Sequence, residues 1–259
     1  MPVPPHQGVA LVREPVPRLA EGLVTHLPRT SVDVDRAQRQ HDEYVAALRG
    51  SGWDVRYVPP ATDCPDSVFV EDTVVAFGSL AVLTRPGAPQ RAPEVAGTEQ
   101  AVRDLGLRIA RIDEPGTLDG GDVLSVGSTV YVGLGGRTNA EGIRQLGELL
   151  RPEGREVVSV PLGGVLHLKS ALTKLPDDTL LALPSLLDTS RLPAFRTVDE
   201  QPGCHLVLLG GERVLIAASA PQTTAMLERE GLRPVVVDIS EFEKLEGSVT
   251  CLSVLLPAG

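Results

Sequence analysis

A plan of two strands, a helix and a third strand recurs along this chain, and it limits the available folds more than any other feature. The clearest copy is LVLLGGERVLIAASAPQTTAMLEREGLRPVVVDI, residues 206–239. Apolar runs mark its strands, a Gly-Gly turn separates the first two, and Met226 and Leu227 sit in the helical stretch. Residues 122–160 follow the same plan, with strands in DVLSVG, TVYVGLG and REVVSVP and the helix AEGIRQLGELLRP. Residues 67–112 do so again, with SVFVEDTVVAFG, LAVLTRPG, a helix from about Pro93 to Leu105, and LRIARID. Two units are less regular. Residues 167–200 hold strand-like SALTKL and TLLALPSLL and then lose the pattern. Residues 8–58 hold GVALVREP, the helix RAQRQHDEYVAALRG and the strand WDVRYVPP. The last apolar run, VTCLSVLLP, lacks a partner of its own. Pairing it into the first unit closes the chain with one strand from each terminus.

Five ββαβ units of this length predict an α/β ring, a pseudo-symmetric propeller with few free edges and a central channel. Pro and Gly punctuate the unit boundaries and no composition shift marks a linker, so a single domain over residues 1–259 is expected. With 42% hydrophobic residues the chain is long enough to bury a core without disulfides or metals. No apolar run approaches the ~18 residues of a membrane span. The N-terminal MPVPPHQGVALVREP has no basic segment leading into an apolar one, so no secretory leader is expected. The three cysteines are widely spaced and form no CxxC pair, which argues against a disulfide framework or zinc ribbon. They suit a reducing compartment, and a cytoplasmic location is expected. A net charge of -10 with 3% aromatics disfavours nucleic acid as a partner. It leaves a cationic small ligand unrepelled, although acidity alone reads as solubility.

Four segments carry side chains able to do chemistry. In LDGGDVL two carboxylates flank a Gly-Gly turn, and Asp119 alone reads as a turn cap. In GVLHLKS, His167 stands in an apolar stretch, where a lone histidine is more often a core residue than a catalyst. It needs an orienting acid, a part Asp119 suits. In GSVTCLSVLL, Cys251 opens a strand behind the polar, flexible Gly247, Ser248 and Thr250. Such a cysteine is usually a small buried hydrophobe, whereas this approach suits a thiol at a channel mouth. Cys64 and Cys204 have no acid or base motif near them and read as structural. In CPDSVFVEDTVV, strand alternation puts Asp66 and Asp72 on one side and Glu71 on the other. Adjacent acids between apolar Val70 and Val74 need partners, and a cation is the functional candidate. Asp119 and His167 each lie near the start of a unit, and Cys251 lies at the closing strand. Equivalent positions in a ring converge on its channel, so the three form a nucleophile, base and orienter set.

The segments VFVEDTVV, TRPGAPQR, TLDGGDVL, GRTNAEGI, LHLKSALTKL and VTCLSVLL, in this order, resemble the dimethylarginine dimethylaminohydrolases of the guanidine-modifying (pentein) superfamily. The resemblance runs from about Val9 to the C-terminus and is weakest in the first thirty residues and in 185–205. It implies a five-bladed α/β propeller and hydrolysis of methylated arginine to citrulline, with no metal or organic cofactor. Carried over by motif, Cys251 is the nucleophile, His167 the general acid and base, and Asp119 its orienting carboxylate. Asp66 matches the acid that grips the guanidinium, with Glu71 and Asp72 as further acids of the cluster. Arg91 and Arg137 match arginines that hold the substrate α-carboxylate, and Leu245 and Glu246 lie where a loop contacts the α-amino group. Arginine deiminases resemble this scaffold but carry His-Leu-Asp where this chain has His167-Leu168-Lys169. A carboxylate left unpaired beside a methylated nitrogen is costly, so Lys169 favours methylarginine over arginine. The rival readings are an arginine deiminase, a binding protein for cationic amino acids, and a thiol peptidase, which would need a longer groove than a ring offers. Either a monomer or a homodimer is compatible with the sequence, and a lid is sought between Val9 and Arg29.

Overall fold

The computed structural model describes residues 7–258, so the reading made of the first six residues lies outside the described residues. The first unit runs from β1 (Gly8–Val12) through α1 (Val34–Gly50) to β2 (Trp53–Tyr57). Helix α1 begins where the Asp33 side chain accepts from the Arg36 amide, satisfying one of the free donors of the first turn. It buries Ala37, His41, Tyr44, Val45 and Leu48, the three- and four-residue spacing of one helix face. The second unit holds β3 (Val74–Phe77), β4 (Leu80–Leu83), α2 (Glu94–Asp104) and β5 (Arg108–Arg111). The third holds β6 (Val123–Val126), β7 (Thr129–Leu134), α3 (Ala140–Leu150) and β8 (Glu156–Pro161). The fourth has β9 (Leu172–Lys174), β10 (Leu180–Ala182) and β11 (Phe195–Thr197). The fifth has β12 (Val207–Gly210), β13 (Arg213–Ala217), α4 (Pro221–Arg229) and β14 (Arg233–Val237). A short α5 (Ser240–Glu243) then leads to β15 (Val254–Pro257).

These strands make five three-stranded sheets. In the second to fifth units the first strand pairs antiparallel with the second, and the third pairs parallel with it. In the first sheet β15 takes the place of the missing first strand, antiparallel to β1 with Leu11 opposite Val254. The predicted closure of the ring by one strand from each terminus is therefore present. The innermost strands β3, β6, β9, β12 and β15 all contribute to one cavity of about 690 Å³. Apolar clusters fill the spaces between neighbouring units. One joins Val75, Phe77 and Val82 of the second unit to Val130, Ile143 and Leu146 of the third. No helix among the described residues is long and apolar enough to cross a membrane.

Three local readings are corrected. The fourth unit has no α-helix: Pro184 and Pro193 interrupt the stretch, and two short 3₁₀ turns at 184–186 and 189–191 replace it. SVFVEDTVVAFG is not one strand, because Val70–Thr73 forms a 3₁₀ turn and β3 begins at Val74. Alternation therefore does not set the directions of Asp66, Glu71 and Asp72. Cys251 lies in a turn whose amide donates to the Ser248 carbonyl at 3.1 Å, and β15 begins only at Val254.

This turn is tied to α1. The hydroxyl of the fully buried Tyr44 donates to the Val249 carbonyl at 2.9 Å and lies 2.7 Å from Ser253 Oγ. Tyr44→Phe should cost about 1–3 kcal/mol, the price of leaving a buried acceptor unpaired. Urea denaturation of the purified variant would measure it, and an unchanged midpoint would show that the bond adds nothing.

Candidate active site

Each inner strand is entered through a tight turn, and these turns carry the candidate residues. The 3₁₀ turns Val70–Thr73, Gly120–Asp122, Leu168–Ser170 and Gln201–Cys204 precede β3, β6, β9 and β12, and successive turns pack on one another. The Ser248–Cys251 turn occupies the same place before β15. Residues far apart in sequence thus meet because each occupies the same step of a repeated unit. The packing explains the glycine pair in LDGGDVL. A Cβ on Gly120 would stand 2.0 Å from the Glu71 carbonyl oxygen, and one on Gly121 would stand 2.5 Å from His167 Nδ1. Only a residue without a side chain lets the turns approach this closely.

Cys251, His167, Asp72, Asp66, Arg91, Arg137, Leu245 and Glu246 line one small cavity at the ring centre. His167 Nε2 lies 3.0 Å from Asp119 Oδ2 and 3.9 Å from Asp72 Oδ1. Burial disfavours its charge, but Asp72, the Asp119 hydrogen bond and Asp122 outweigh this and hold it up at about 9. Asp119 is fixed in turn, since its other oxygen accepts from the Gly87 amide at 2.8 Å. The predicted histidine–carboxylate pair is thus built. The Cys251 thiol is 3.2 Å from Ser248 Oγ. Burial pushes it up to about 12, and Glu71 and Asp72 add to the effect. Burial and the neighbouring acids thus favour the neutral thiol, and the acids around His167 favour the protonated imidazole.

The acids divide by function. Asp72 accepts from Arg91 Nη1 at 2.6 Å and from the Gly121 amide at 2.9 Å. Burial opposes its ionisation, yet His167 and Arg91 hold it well below the usual carboxylate range. Each of its oxygens keeps an acceptor site for a further donor. Asp66 accepts from the Leu23 amide at 3.0 Å, holding an N-terminal loop against the cavity. Arg91 is buried between Asp72 and Glu94, which it meets at 2.6 and 2.8 Å. Its Nη2 also donates to the carbonyls of Asp66 and Phe69. Arg137 is less committed, with a single 3.4 Å contact to Asp119. The Glu246 carboxylate accepts from the amides of Thr25, His26 and Leu27. The segment sought as a lid is therefore narrower than Val9 to Arg29: β1 lies in a sheet, and residues 23–27 reach the site.

Glu71 points elsewhere. Its Oε1 pairs with Lys169 Nζ at 2.6 Å, and both residues line the 690 Å³ cavity on the far side of the ring. Glu71 Oε2 is buried with no hydrogen-bond partner, and burial pushes the Glu71 carboxyl up against the pull of Lys169. Ligand atoms of Asp72, Asp119 and His167 lie within 4.8 Å of one another, as a metal site would require. Each of these atoms already serves the hydrogen bonds and ion pairs described.

Sequence reasoning did not assign Asp122 or Glu94. Asp122 is fully buried, accepting from Thr138 Oγ1 at 2.6 Å and the Leu168 amide at 2.9 Å, and so anchors the residue after His167. Burial raises its carboxyl to about 6. The second aspartate of LDGGDVL was the available signal. Glu94 offered one as well, standing three residues after Arg91 at a helix start.

Comparisons with known proteins identify relatives of this chain in sequence and in fold. Residues 60–206 match the family model described as Arginine deiminase. The N(G),N(G)-dimethylarginine dimethylaminohydrolase of Streptomyces coelicolor is 58% identical over 95% of this chain and 96% of its own. The enzyme of that name from Pseudomonas aeruginosa is 36% identical over 94% of this chain and 97% of its own. Among solved structures, a histidine-to-glycine dimethylarginine dimethylaminohydrolase in adduct with S-methyl-L-thiocitrulline aligns with a TM-score of 0.89. It is 34% identical and covers 96% of this chain and 99% of that one. A cysteine-to-serine variant of the Pseudomonas aeruginosa enzyme, complexed with citrulline, aligns with a TM-score of 0.88 at 34% identity and the same coverage.

Two outcomes follow from the buried charges. Lys169→Met leaves Glu71 without its cation and should cost about 3–5 kcal/mol, most of it recovered in Glu71→Gln/Lys169→Met. Equal destabilisation of the single and double variants in urea would sink this account. His167 keeps its proton to about 9 when folded, against 6.5 as its ordinary value. Its contribution is therefore full below about 6.5 and lost as pH rises through about 9. Denaturation across that window should show falling stability in the parent protein and a flatter profile in His167→Gln.

Proposed function

This chain belongs to the dimethylarginine dimethylaminohydrolase family, and we propose that it hydrolyses Nω-methylated arginine to citrulline and a methylamine with Cys251 as nucleophile. The observation that carries the assignment of roles is the single cavity lined by Cys251, His167 and Asp72, with His167 hydrogen-bonded to Asp119. A guanidinium carbon is a poor electrophile because resonance spreads its charge over three nitrogens. Asp72 accepts hydrogen bonds from the unmethylated guanidinium nitrogens and fixes the plane of the cation. The cation offsets the carboxylates that oppose ionisation of the thiol, so the thiol releases its proton to solvent water as substrate enters and the thiolate forms. It attacks the carbon, and a tetrahedral adduct results. His167, protonated at rest, donates its proton to the methylated nitrogen as the C–N bond breaks. The amine departs and leaves an S-alkylthiouronium on Cys251. Neutral His167 then takes a proton from water, whose oxygen adds to the same carbon. Collapse breaks the C–S bond, releases citrulline and returns the sulfur.

The substrate's amino-acid end meets Arg137, whose donors are the least committed, with Arg91 adding charge from behind. Asp66 and Glu246 act through the loop at 23–27, and the backbone around Leu245 faces the α-amino group. No metal or organic cofactor enters these steps. The reading takes the five units as one catalytic domain, working as a monomer or homodimer in the cytoplasm. Lys169, which stands where arginine deiminases carry an aspartate, is engaged with Glu71, so no carboxylate at that position faces the methylated nitrogen, which favours a methylated guanidinium over arginine itself.

Cys251→Ser should lower citrulline formation from asymmetric dimethylarginine by at least about a thousandfold. Activity retained in that variant would remove the nucleophile. A panel of arginine, monomethylarginine and dimethylarginine, scored for ammonia, methylamine and dimethylamine, separates a methylargininase from a deiminase. Comparable turnover of arginine would defeat the assignment made from Lys169.

A further inference from the structure

Cys251 must ionise in a setting that resists it. Glu71 and Asp72 both act against a negative sulfur, and in the hydrogen bonds of the described residues no lysine, arginine or histidine meets Sγ. The side chain that does meet it is that of Ser248. Ser248 Oγ lies 3.2 Å from Sγ and 2.9 Å from Thr250 Oγ1, and both hydroxyl residues are buried. The turn holds this arrangement in place, since the Cys251 amide donates to the Ser248 carbonyl at 3.1 Å. The next residue, Val249, is fixed as well, through the Tyr44 hydroxyl.

We infer that Ser248 is a catalytic residue whose hydroxyl donates a hydrogen bond to the Cys251 sulfur as the thiolate forms, with Thr250 positioning that hydroxyl. Either hydroxyl can donate across this contact, and with Thr250 as the donor the Ser248 hydrogen is free for sulfur. The sulfur then ends a two-hydroxyl chain in which each bond polarises the next. In the resting thiol the same hydroxyls can be reached from the other direction, with S–H donating to Ser248. Ionisation therefore needs only a rotation of hydroxyl hydrogens and no movement of heavy atoms. Such a preformed donor needs no reorganisation when the charge develops. The thiol proton passes to solvent, and the Ser248 and Thr250 oxygens have the same protonation state before and after. Their part is to hold charge and not to carry the proton away. The hydrogen bond to Ser248 is also among the few influences that favour the ionised sulfur.

The inference rests on Cys251 being the nucleophile, but its test reads the sulfur directly and without substrate. Purified protein is treated with iodoacetamide over neutral to alkaline pH. Carbamidomethylation of Cys251 is followed by mass spectrometry, with Cys64 and Cys204 as internal references for folding. S248A should slow Cys251 alkylation about tenfold at a given pH, the scale of one hydrogen bond to a charged acceptor. T250V, which conserves volume, should slow it by less, and S248A/T250V should be no slower than S248A. S248T keeps the hydroxyl and should stay within about threefold of the parent protein. The kcat/KM for dimethylarginine should follow the same order. Rates ordered by side-chain bulk, with S248A at or above the parent and S248T slowest, would overturn the inference. A failed nucleophile assignment would appear separately, as citrulline formed by Cys251→Ser.

Discussion

The pairing of β1 with β15 is the constraint on which the site depends. Four units supply their own innermost strand, but the first does not and must borrow one from the other end of the chain. Without that antiparallel pair the first sheet has an open edge and the ring is not closed. The same pair decides the chemistry. The turn entering β15 carries Cys251, so closing the ring brings the thiol beside the turns that carry Glu71, Asp72, Asp119 and His167. Tyr44 extends the dependence to α1, which buries its apolar face in the cluster that also holds Leu252 and Val249.

Charge balance at the centre is the second organising principle. The buried acids are not left alone: Arg91 lies between Asp72 and Glu94, Lys169 faces Glu71, and His167 faces Asp119. Breaking such pairs is costly, which keeps the turns in one arrangement. The balance stops at Cys251, where two carboxylates oppose a negative sulfur and a serine hydroxyl is the donor at hand. Burial and these carboxylates favour the neutral thiol at Cys251.

Much of this was legible in the residues. The ββαβ plan followed from apolar runs and Gly-Gly turns, because strand and helix periods are local properties. Asp119, His167 and Cys251 stood out by their common place in the repeat, and the structure brings His167 and Cys251 to one cavity with Asp119 behind the histidine. The failures were also local. A 3₁₀ turn advances about 120° per residue. Asp66 and Asp72 therefore line one cavity and Glu71 the other, the division that strand alternation predicted, although a 3₁₀ turn rather than a strand produces it. The fourth unit, where the sequence lost the pattern, has prolines and two 3₁₀ turns in place of a helix. Asp122 and Glu94 escaped notice because a carboxylate in a polar turn looks solvated until its burial is known.

The sequence by itself determined the repeat, the family and the candidate reactive groups, since these are written in near-neighbour patterns and ordered motifs. Tertiary structure alone decided which groups meet. Lys169 and Glu71 are 98 residues apart and form one ion pair, while Asp72, next to Glu71, turns to Arg91 and His167. The state of Cys251 was decided the same way. A thiol's ionisation depends on the charges and donors within a few ångströms, and here the carboxylates come from another unit of the ring.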